Sequence, residues 1–368
     1  MKLLLTNFHD GDGGGHTTYL LALAAGLSGA HAVHVAAPPG SRLLREAARL
    51  PGVQVHPQPF PNGLRKLARW WRARRRLRAL LRSLAVDVVH VNGSADHRLV
   101  LSALAGMPRR PRLVFTKHNS KPMAGLGHWW RARRTDAVIA VSAHTLAMLQ
   151  ASAYAGRPLH LVRNGVDIVH FAPVPASEAA ASRRALFDGV DLLLASCAGT
   201  AAYKGWLDLA RALALLPATD RARVGVLVCG KPPDARQREA LEALGVADRV
   251  RFPGLLDDVR PVIAAADAGF VLSTAVETIS FACREMMAMG KPMLVTRYAG
   301  LPENVAPGED GWVVPPGDPA AMAEVLARLL AGSVDLRAMG QRARAHAERD
   351  FGLPGFVEAT LAVYRAVA

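Results

Sequence analysis

The sequence predicts an α/β protein built from two doubly wound parallel sheets, and three observations carry that expectation. Short apolar runs of strand length recur along the chain with helical patterns between them, the alternation that builds parallel sheets. A length of 368 residues exceeds what one core usually supports, so two domains of ordinary size are expected. The alternation breaks once, at Asn164-Gly165-Val166-Asp167, where Pro173, Pro175 and a polar, alanine-rich stretch follow before it resumes.

Taken in order, a first strand at 2–7 leads into the glycine-rich turn Asp10-Gly11-Asp12-Gly13-Gly14-Gly15-His16 and an apolar helix at 17–27. Strands follow at 32–36, 53–55, 86–91, 112–116 and 137–141, with the clearest helical patterns at 41–50, 65–84 and 143–152. The second series has strands at 192–197, 224–229, 250–252, 268–272, 292–295 and 311–314 and late helices at 319–331 and 334–349. The domains are therefore set at 1–170 and 171–352, with an amphipathic helix within 353–368 that packs back on the first. Two Rossmann-like halves across a cleft would bind ligands at the carboxyl ends of their strands.

Composition narrows the class. A hydrophobic fraction of 51% excludes disorder. The opening MKLLLT is too short an apolar run for a signal peptide and no run is long enough to span a bilayer, so a cytosolic protein is expected. Cys197, Cys229 and Cys283 are scattered in apolar or small-residue runs and read as core residues, not as a disulfide scaffold or zinc site. The net charge of +15 is uneven: residues 1–170 hold 24 Lys and Arg against 7 Asp and Glu, and the remainder 21 against 23. The first half is thus +17 and the second −2, which points to an anionic surface met by the first domain alone.

The most informative stretch runs from Ser273 to Pro292, where Glu277 and Glu285 stand eight positions apart across a strand, tight turn and helix. Free amides and the positive dipole end of that helix suit a phosphate. Glu285 repels phosphate, but its two oxygens suit the 2′,3′-diol of a ribose. A sugar nucleotide is the expected guest. Glu277 as a helix cap and Glu285 as a solvated helix residue are the bland alternatives.

The Gly13-Gly14-Gly15 turn, Val138 to Ser142, Asn164 to Asp167, Lys204-Gly205, the Glu277 and Glu285 pair, Met289 to Pro292 and Asp310 to Asp318 together resemble the retaining glycosyltransferases of family 4, which have the GT-B fold. The resemblance implies that Glu285 holds the nucleotide ribose, that Glu277 contacts the donor sugar, and that the amides of Ser280, Phe281 and Ala282 bind the donor. It places Lys204 on the diphosphate, Gly14 and Gly15 beside it, and His118 near the donor sugar. The family's arginine after the position of Gly199 is replaced here by Thr200, and Arg163 or Arg284 is the expected substitute. Backbone around Gly230, Lys231, Gly254 and Leu255 is expected to meet the base, with a UDP-sugar as donor. The resemblance further implies retention of the anomeric configuration without a protein nucleophile. No paired-aspartate DxD motif of the GT-A kind is read in the chain, and neither metal nor other cofactor is expected.

A second clue lies between residues 64 and 84, where nine Lys or Arg occur without an acid. Leu67, Trp70, Trp71, Leu77, Leu80, Leu81 and Leu84 share one half of the helical wheel, and most arginines, including Arg72, Arg75 and Arg76, fall on the other, with Lys66 and Arg74 as intruders. This is the pattern of an interfacial helix on anionic lipid, although a domain helix with a solvated basic face would look similar. The hexapeptide Trp-Trp-Arg-Ala-Arg-Arg recurs at 129–134 and is read as extending the same surface. The leading expectation is a peripheral transferase at the inner face of the cytoplasmic membrane, acting on a lipid-linked or lipopolysaccharide acceptor. A sugar-nucleotide epimerase of the same fold is the alternative, and a nucleic-acid-binding protein is suggested only by charge and is not expected.

Overall fold

The computed structural model describes residues 1–11, 13–62 and 67–368, and the chain divides into two compact units. The first comprises 1–165 and 353–368, and the second 166–352. The boundary thus lies five residues before the expected 170, because Val166 already belongs to the second unit, where its amide donates to the Phe351 carbonyl at 2.7 Å.

The first unit contains β1 (Lys2–Thr6), α1 (Gly14–Leu27), β2 (Ala32–Ala37), α2 (Arg42–Ala47), β3 (Val53–Pro57), α3 (Leu67–Leu84), β4 (Val88–Val91), α4 (Ser94–Leu104), β5 (Arg112–Lys117), α5 (Leu126–Ala132), β6 (Ala137–Ala140), α6 (Ala143–Gln150) and β7 (Leu159–Leu161). Its seven strands are ordered β3-β2-β1-β4-β5-β6-β7, and every pairing is parallel. The order reverses beside β1, which makes the carboxyl ends of β1 and β4 the switch point where such sheets take ligands. Two expectations shift. The strand expected at 86–91 begins only at Val88, after Ala85 turns the chain at φ 48°. The strand β7 was not anticipated. The expected positions 65 and 66 of the basic helix lie outside the described residues.

The second unit contains α7 (Ala176–Leu186), β8 (Leu192–Ser196), α8 (Trp206–Leu215), α9 (Ala218–Ala222), β9 (Val224–Cys229), α10 (Ala235–Ala243), β10 (Val250–Gly254), α11 (Arg260–Ala265), β11 (Ala268–Val271), α12 (Phe281–Ala288), β12 (Met293–Thr296), β13 (Gly311–Val314), α13 (Pro319–Leu330) and α14 (Leu336–Asp350). The strands are ordered β10-β9-β8-β11-β12-β13, again all parallel. Helices cover both faces of β8, β9, β11 and β12, so every residue of these strands is buried and each reads as a continuous apolar run.

The final helix, α15 (Leu353–Val367), returns to the first unit. Phe356 packs edge-on against Tyr19 of α1 at 5.0 Å, and the Tyr364 hydroxyl meets His90 Nδ1 at 2.5 Å. Phe356, Leu361, Val363 and Tyr364 are buried, each contributing about 1.5–3 kcal/mol by leaving water.

Candidate active site

The loop between β11 and α12 is held in a strained shape. Val276 and Ser280 both have positive φ, 57° and 51°, in a region that side-chain-bearing residues rarely occupy and β-branched ones avoid. Three contacts outside the loop hold it there. The Thr274 amide donates to the Tyr203 carbonyl at 2.8 Å, the Val276 amide to the Tyr298 hydroxyl at 3.1 Å, and Thr296 Oγ1 to the Ser273 carbonyl at 2.7 Å. Ser280 ends the loop as the residue before α12, yet its side chain caps nothing and no acid stands in the first turn. The opening amides of α12, from Phe281 and Ala282 onward, therefore keep the positive end of the helix available to an anion.

Lys204 and Glu277 meet at this loop. The Lys204 Nζ to Glu277 Oε2 distance is 2.6 Å, both side chains being mostly buried, and Glu277 Oε1 also accepts from the Thr278 amide at 3.2 Å. The short turn Ala202–Lys204 reaches the strand ends only because Gly205 follows it at φ 73°; a Cβ there would come within 2.0 Å of the Leu272 carbonyl oxygen. The two residues expected to face the diphosphate and the sugar separately are thus bonded to one another.

Glu285, just over a turn into α12, is in the opposite condition. Its carboxylate has no hydrogen bond or ion pair among the described residues, and burial alone pushes its pKa up to about 7. Cys197 at the end of β8 lies close enough for Glu285 to help raise the thiol's pKa, after the larger effects of the Cys229 contact and burial. A half-buried acid with unused acceptors beside open helix amides has the chemistry to receive a diol and an anion.

Around it the loops after β8, β9 and β10 converge on small residues. The Gly230 amide donates to the Gly254 carbonyl at 3.0 Å, and a Cβ on Gly230 would stand 2.9 Å from the Gly199 Cα. Lys231 and Leu255 are exposed at the same loop ends. Thr200, where the family arginine was expected, donates its hydroxyl to the Lys231 carbonyl at 2.6 Å while its own carbonyl accepts from Trp206 Nε1 and Gln237 Nε2 at 2.9 and 2.8 Å. It ties its own loop to the loop after β9 and to α8 and α10, and supplies no charge.

Arg284, one of the proposed substitutes, points the other way. It is fully buried, donates from Nε to Asn304 Oδ1 at 2.8 Å, and lays its guanidinium over Phe351 at 4.1 Å. Its role is to brace the core, and Asn304, whose Nδ2 holds the Ile279 carbonyl at 2.7 Å, passes that support to the strained loop. Arg163 is exposed in the first unit.

In the first unit the β1–α1 turn, the end of β4 and the end of β5 bring together His9, His16, Asn92 and His118. Asn92 Nδ2 donates to the Thr6 carbonyl at 3.2 Å, which leaves its Oδ1 to accept from His118 Nε2 at 2.7 Å and so places the His118 proton on that nitrogen. The ring packs 4.4 Å from His16 and edge-on to Tyr19 at 4.6 Å. Burial, then the neighbouring His16, His90, His9 and Lys117, holds its pKa well below the usual histidine value, so it is neutral at pH 7. Gly14 and Gly15 are exposed at the start of α1, which no side chain caps. Beside them Asn7 Nδ2, His9 Nε2 and His16 Nδ1 are buried without a partner among the described residues. His9 and His16 flank the glycine-rich turn, the one sequence signal for them. Asp10-Gly11-Asp12 is a DxD sequence where none was expected, with Asp12 outside the described residues. Among the described residues no three His, Cys, Asp or Glu are grouped to hold a metal ion.

The helix α3 divides differently from its expected wheel. Arg69, Arg72, Arg75 and Arg76 are exposed with Leu67 and Trp71, but Trp70 packs against the core. Arg74 is turned inward to donate from Nε to the Ser102 hydroxyl and carbonyl at 2.8 and 3.0 Å. No helix among the described residues is long and apolar enough to cross a membrane.

Two family models match the chain, Glycosyltransferase Family 4 over residues 13–170 and Glycosyl transferases group 1 over residues 192–332. The chain belongs to glycosyltransferase family 4. The D-inositol 3-phosphate glycosyltransferase of Corynebacterium efficiens is 35% identical over 201 residues, 51% of this transferase and 46% of that protein. The MMP alpha-(1->4)-mannosyltransferase of Mycolicibacterium hassiacum is 28% identical over 308 residues, 77% of this chain and 71% of its own. The matched stretch thus spans about half the length of the first of these relatives. Anabaena HepE, solved in complex with UDP, superposes with a TM-score of 0.84 over 100% of both chains at 20% identity, which shows the shared GT-B fold.

Proposed function

We propose that this transferase moves a sugar from a UDP-sugar to a lipid-linked saccharide, with retention at the anomeric carbon and without a metal ion, at the inner face of the cytoplasmic membrane. The observation that carries the donor half is the partnerless Glu285 carboxylate, just over a turn from the open amides of α12. The ribose diol donates to Glu285, and the diphosphate lies on the amides and on Lys204. As the bond from the anomeric carbon to the phosphate oxygen breaks, charge grows on the diphosphate where those donors already point. The acceptor oxygen bonds to the same carbon on the face the phosphate leaves, and the acceptor proton passes to a phosphate oxygen. Uridine is supported by HepE, solved with UDP. The membrane half is supported by the exposed arginines of α3 beside Leu67 and Trp71.

Family membership favours transfer over epimerisation. The test is calorimetric titration with UDP and with a UDP-sugar. Glu285→Ala should lose binding at least tenfold with circular dichroism unchanged, and equal affinity would overturn the ribose assignment. Proton NMR of the product formed by the wild-type enzyme reads the anomer directly.

A further inference from the structure

The first unit carries a cationic cluster without acids, and it stands beside an apolar groove. Lys117 at the end of β5 is 4% exposed, and its Nζ has only neutral partners, Asn119 Oδ1 at 2.6 Å and the Lys121 carbonyl at 2.7 Å. Arg131 on α5 is 5% exposed and lies near Tyr154. Arg98 on α4 reaches Asn62, and burial, then Arg131, Lys117 and Arg98, lowers the pKa of His128, whose Nδ1 is buried without a partner among the described residues. Among the described residues of this unit the ion pairs join Arg42 to Glu46, Arg110 and Arg112 to Asp136, and Arg365 to Glu358, so none of these includes the cluster. Asp96, on the same helix as Arg98, is bonded to Thr6 and the Asn92 amide instead. Cations that act on one imidazole without a counter-charge among the described residues cost stability, and an anion that bound there would recover it.

The groove occupies about 500 Å³ and is lined by Met123, Leu126, Trp129 and Ala153 among others. Leu126 is 86% exposed and Trp129 51%, on the helix whose other side chains, His128 and Arg131, belong to the cluster. Arg133 and Arg134 lie over Trp129 and Trp130 at 4.6 Å each, an aromatic and guanidinium rim of the kind that sits at a lipid surface. Tyr154 joins the two halves, following Ala153 of the groove and meeting the His128 ring edge-on at 6.3 Å.

We infer that Arg98, Lys117 and Arg131 with the groove between Met123 and Ala153 form the binding site for the phosphate head and first chain segment of an anionic lipid. The inference rests on the reading of a lipid-linked acceptor and gives that acceptor its place. Charge selects the phosphate, and the exposed Leu126 and Trp129 select a chain attached to it.

The test uses farnesyl diphosphate as probe, with inorganic diphosphate and farnesol as controls, in calorimetry on the full chain. Farnesyl diphosphate should bind at least tenfold more tightly than either control. Arg131→Gln should weaken it at least tenfold, and Arg98→Gln and Leu126→Asp, both at exposed positions, give the same direction if the buried change impairs folding. Equal binding of inorganic diphosphate would make this a soluble-anion site, and equal binding of farnesol a merely apolar one; either overturns the inference. UDP-sugar affinity is measured in the same proteins. If it persists while farnesyl diphosphate fails to bind, the lipid site falls and the transferase reading stands.

Discussion

Nucleotide-sugar binding should be coupled to loss of a proton from Glu285. Burial raises that carboxyl from 4.5 to about 7, and no partner offsets the effect. A ribose offers two hydroxyl donors, which match the two acceptors of the ionised form, whereas the protonated form turns a donor toward a donor. If only the ionised form binds, a pKa of about 7 leaves roughly a tenth of the free enzyme competent at about pH 6 and roughly nine tenths at about pH 8. Affinity should rise about tenfold across that window and then level off. The sign for stability follows from the same shift. The folded state holds the proton that the unfolded chain releases above pH 4.5, so this group's contribution is present below 4.5 and is lost as pH rises through about 7. The assay is calorimetry with a UDP-sugar, whose diphosphate diester does not titrate in this range, in buffers of different ionisation enthalpy. Glu285→Gln should bind more weakly and without pH dependence. A flat wild-type profile, or the same slope in the glutamine variant, would refute the assignment of the proton to Glu285.

Three further outcomes are expected. Lys204→Ala should lower kcat by about 10²–10³, the scale of one lost donor to a developing oxyanion, and should also lower the urea midpoint, because it leaves the mostly buried Glu277 carboxylate without its partner. Gly205→Ala should cost about 2 kcal/mol or more in urea denaturation, since the added methyl meets the Leu272 carbonyl and the positive φ is strained. Replacing Arg72, Arg75 and Arg76 together by glutamine should weaken binding to phosphatidylserine vesicles about 10²-fold or more at low salt, at about 1 kcal/mol per charge, with Arg74 retained because it anchors α3 to α4; unchanged sedimentation with vesicles would remove the membrane reading.

How far the sequence could be read depended on whether the deciding contacts were local. Strands such as Leu192–Ser196 and Val224–Cys229 are buried on both faces and announce themselves as apolar runs. The edge strand Leu159–Leu161 is half-buried and three residues long, so nothing periodic marks it. The repeated hexapeptide shows the limit most directly. Arg72 and Arg131 occupy the same place in identical sequence, yet Arg72 is exposed on α3 and Arg131 is buried against Tyr154. Composition suggested two copies of one basic surface; packing buried this arginine in one of them. The contact between Lys204 and Glu277 spans 73 residues, and the inward turn of Arg284 depends on Asn304, twenty residues on. Motif spacing located these residues and could not say what each one touches.

The bond between Lys204 and Glu277 also bears on how the site uses its charge. Without ligand, a mostly buried lysine and glutamate neutralise one another at 2.6 Å, so neither is left as an uncompensated charge. If the donor lies as proposed, its diphosphate would compete with Glu277 for the ammonium and free a carboxylate oxygen for a sugar hydroxyl, so that one exchange would load both. The loop that carries Glu277 is fixed by Tyr203, Tyr298 and Thr296 from neighbouring elements, so the carboxylate keeps its position when the lysine leaves it. The strain at Val276 and Ser280 falls in the same turn that carries Glu277 and opens into the α12 amides, and strained backbone held in place by its surroundings marks a candidate for function.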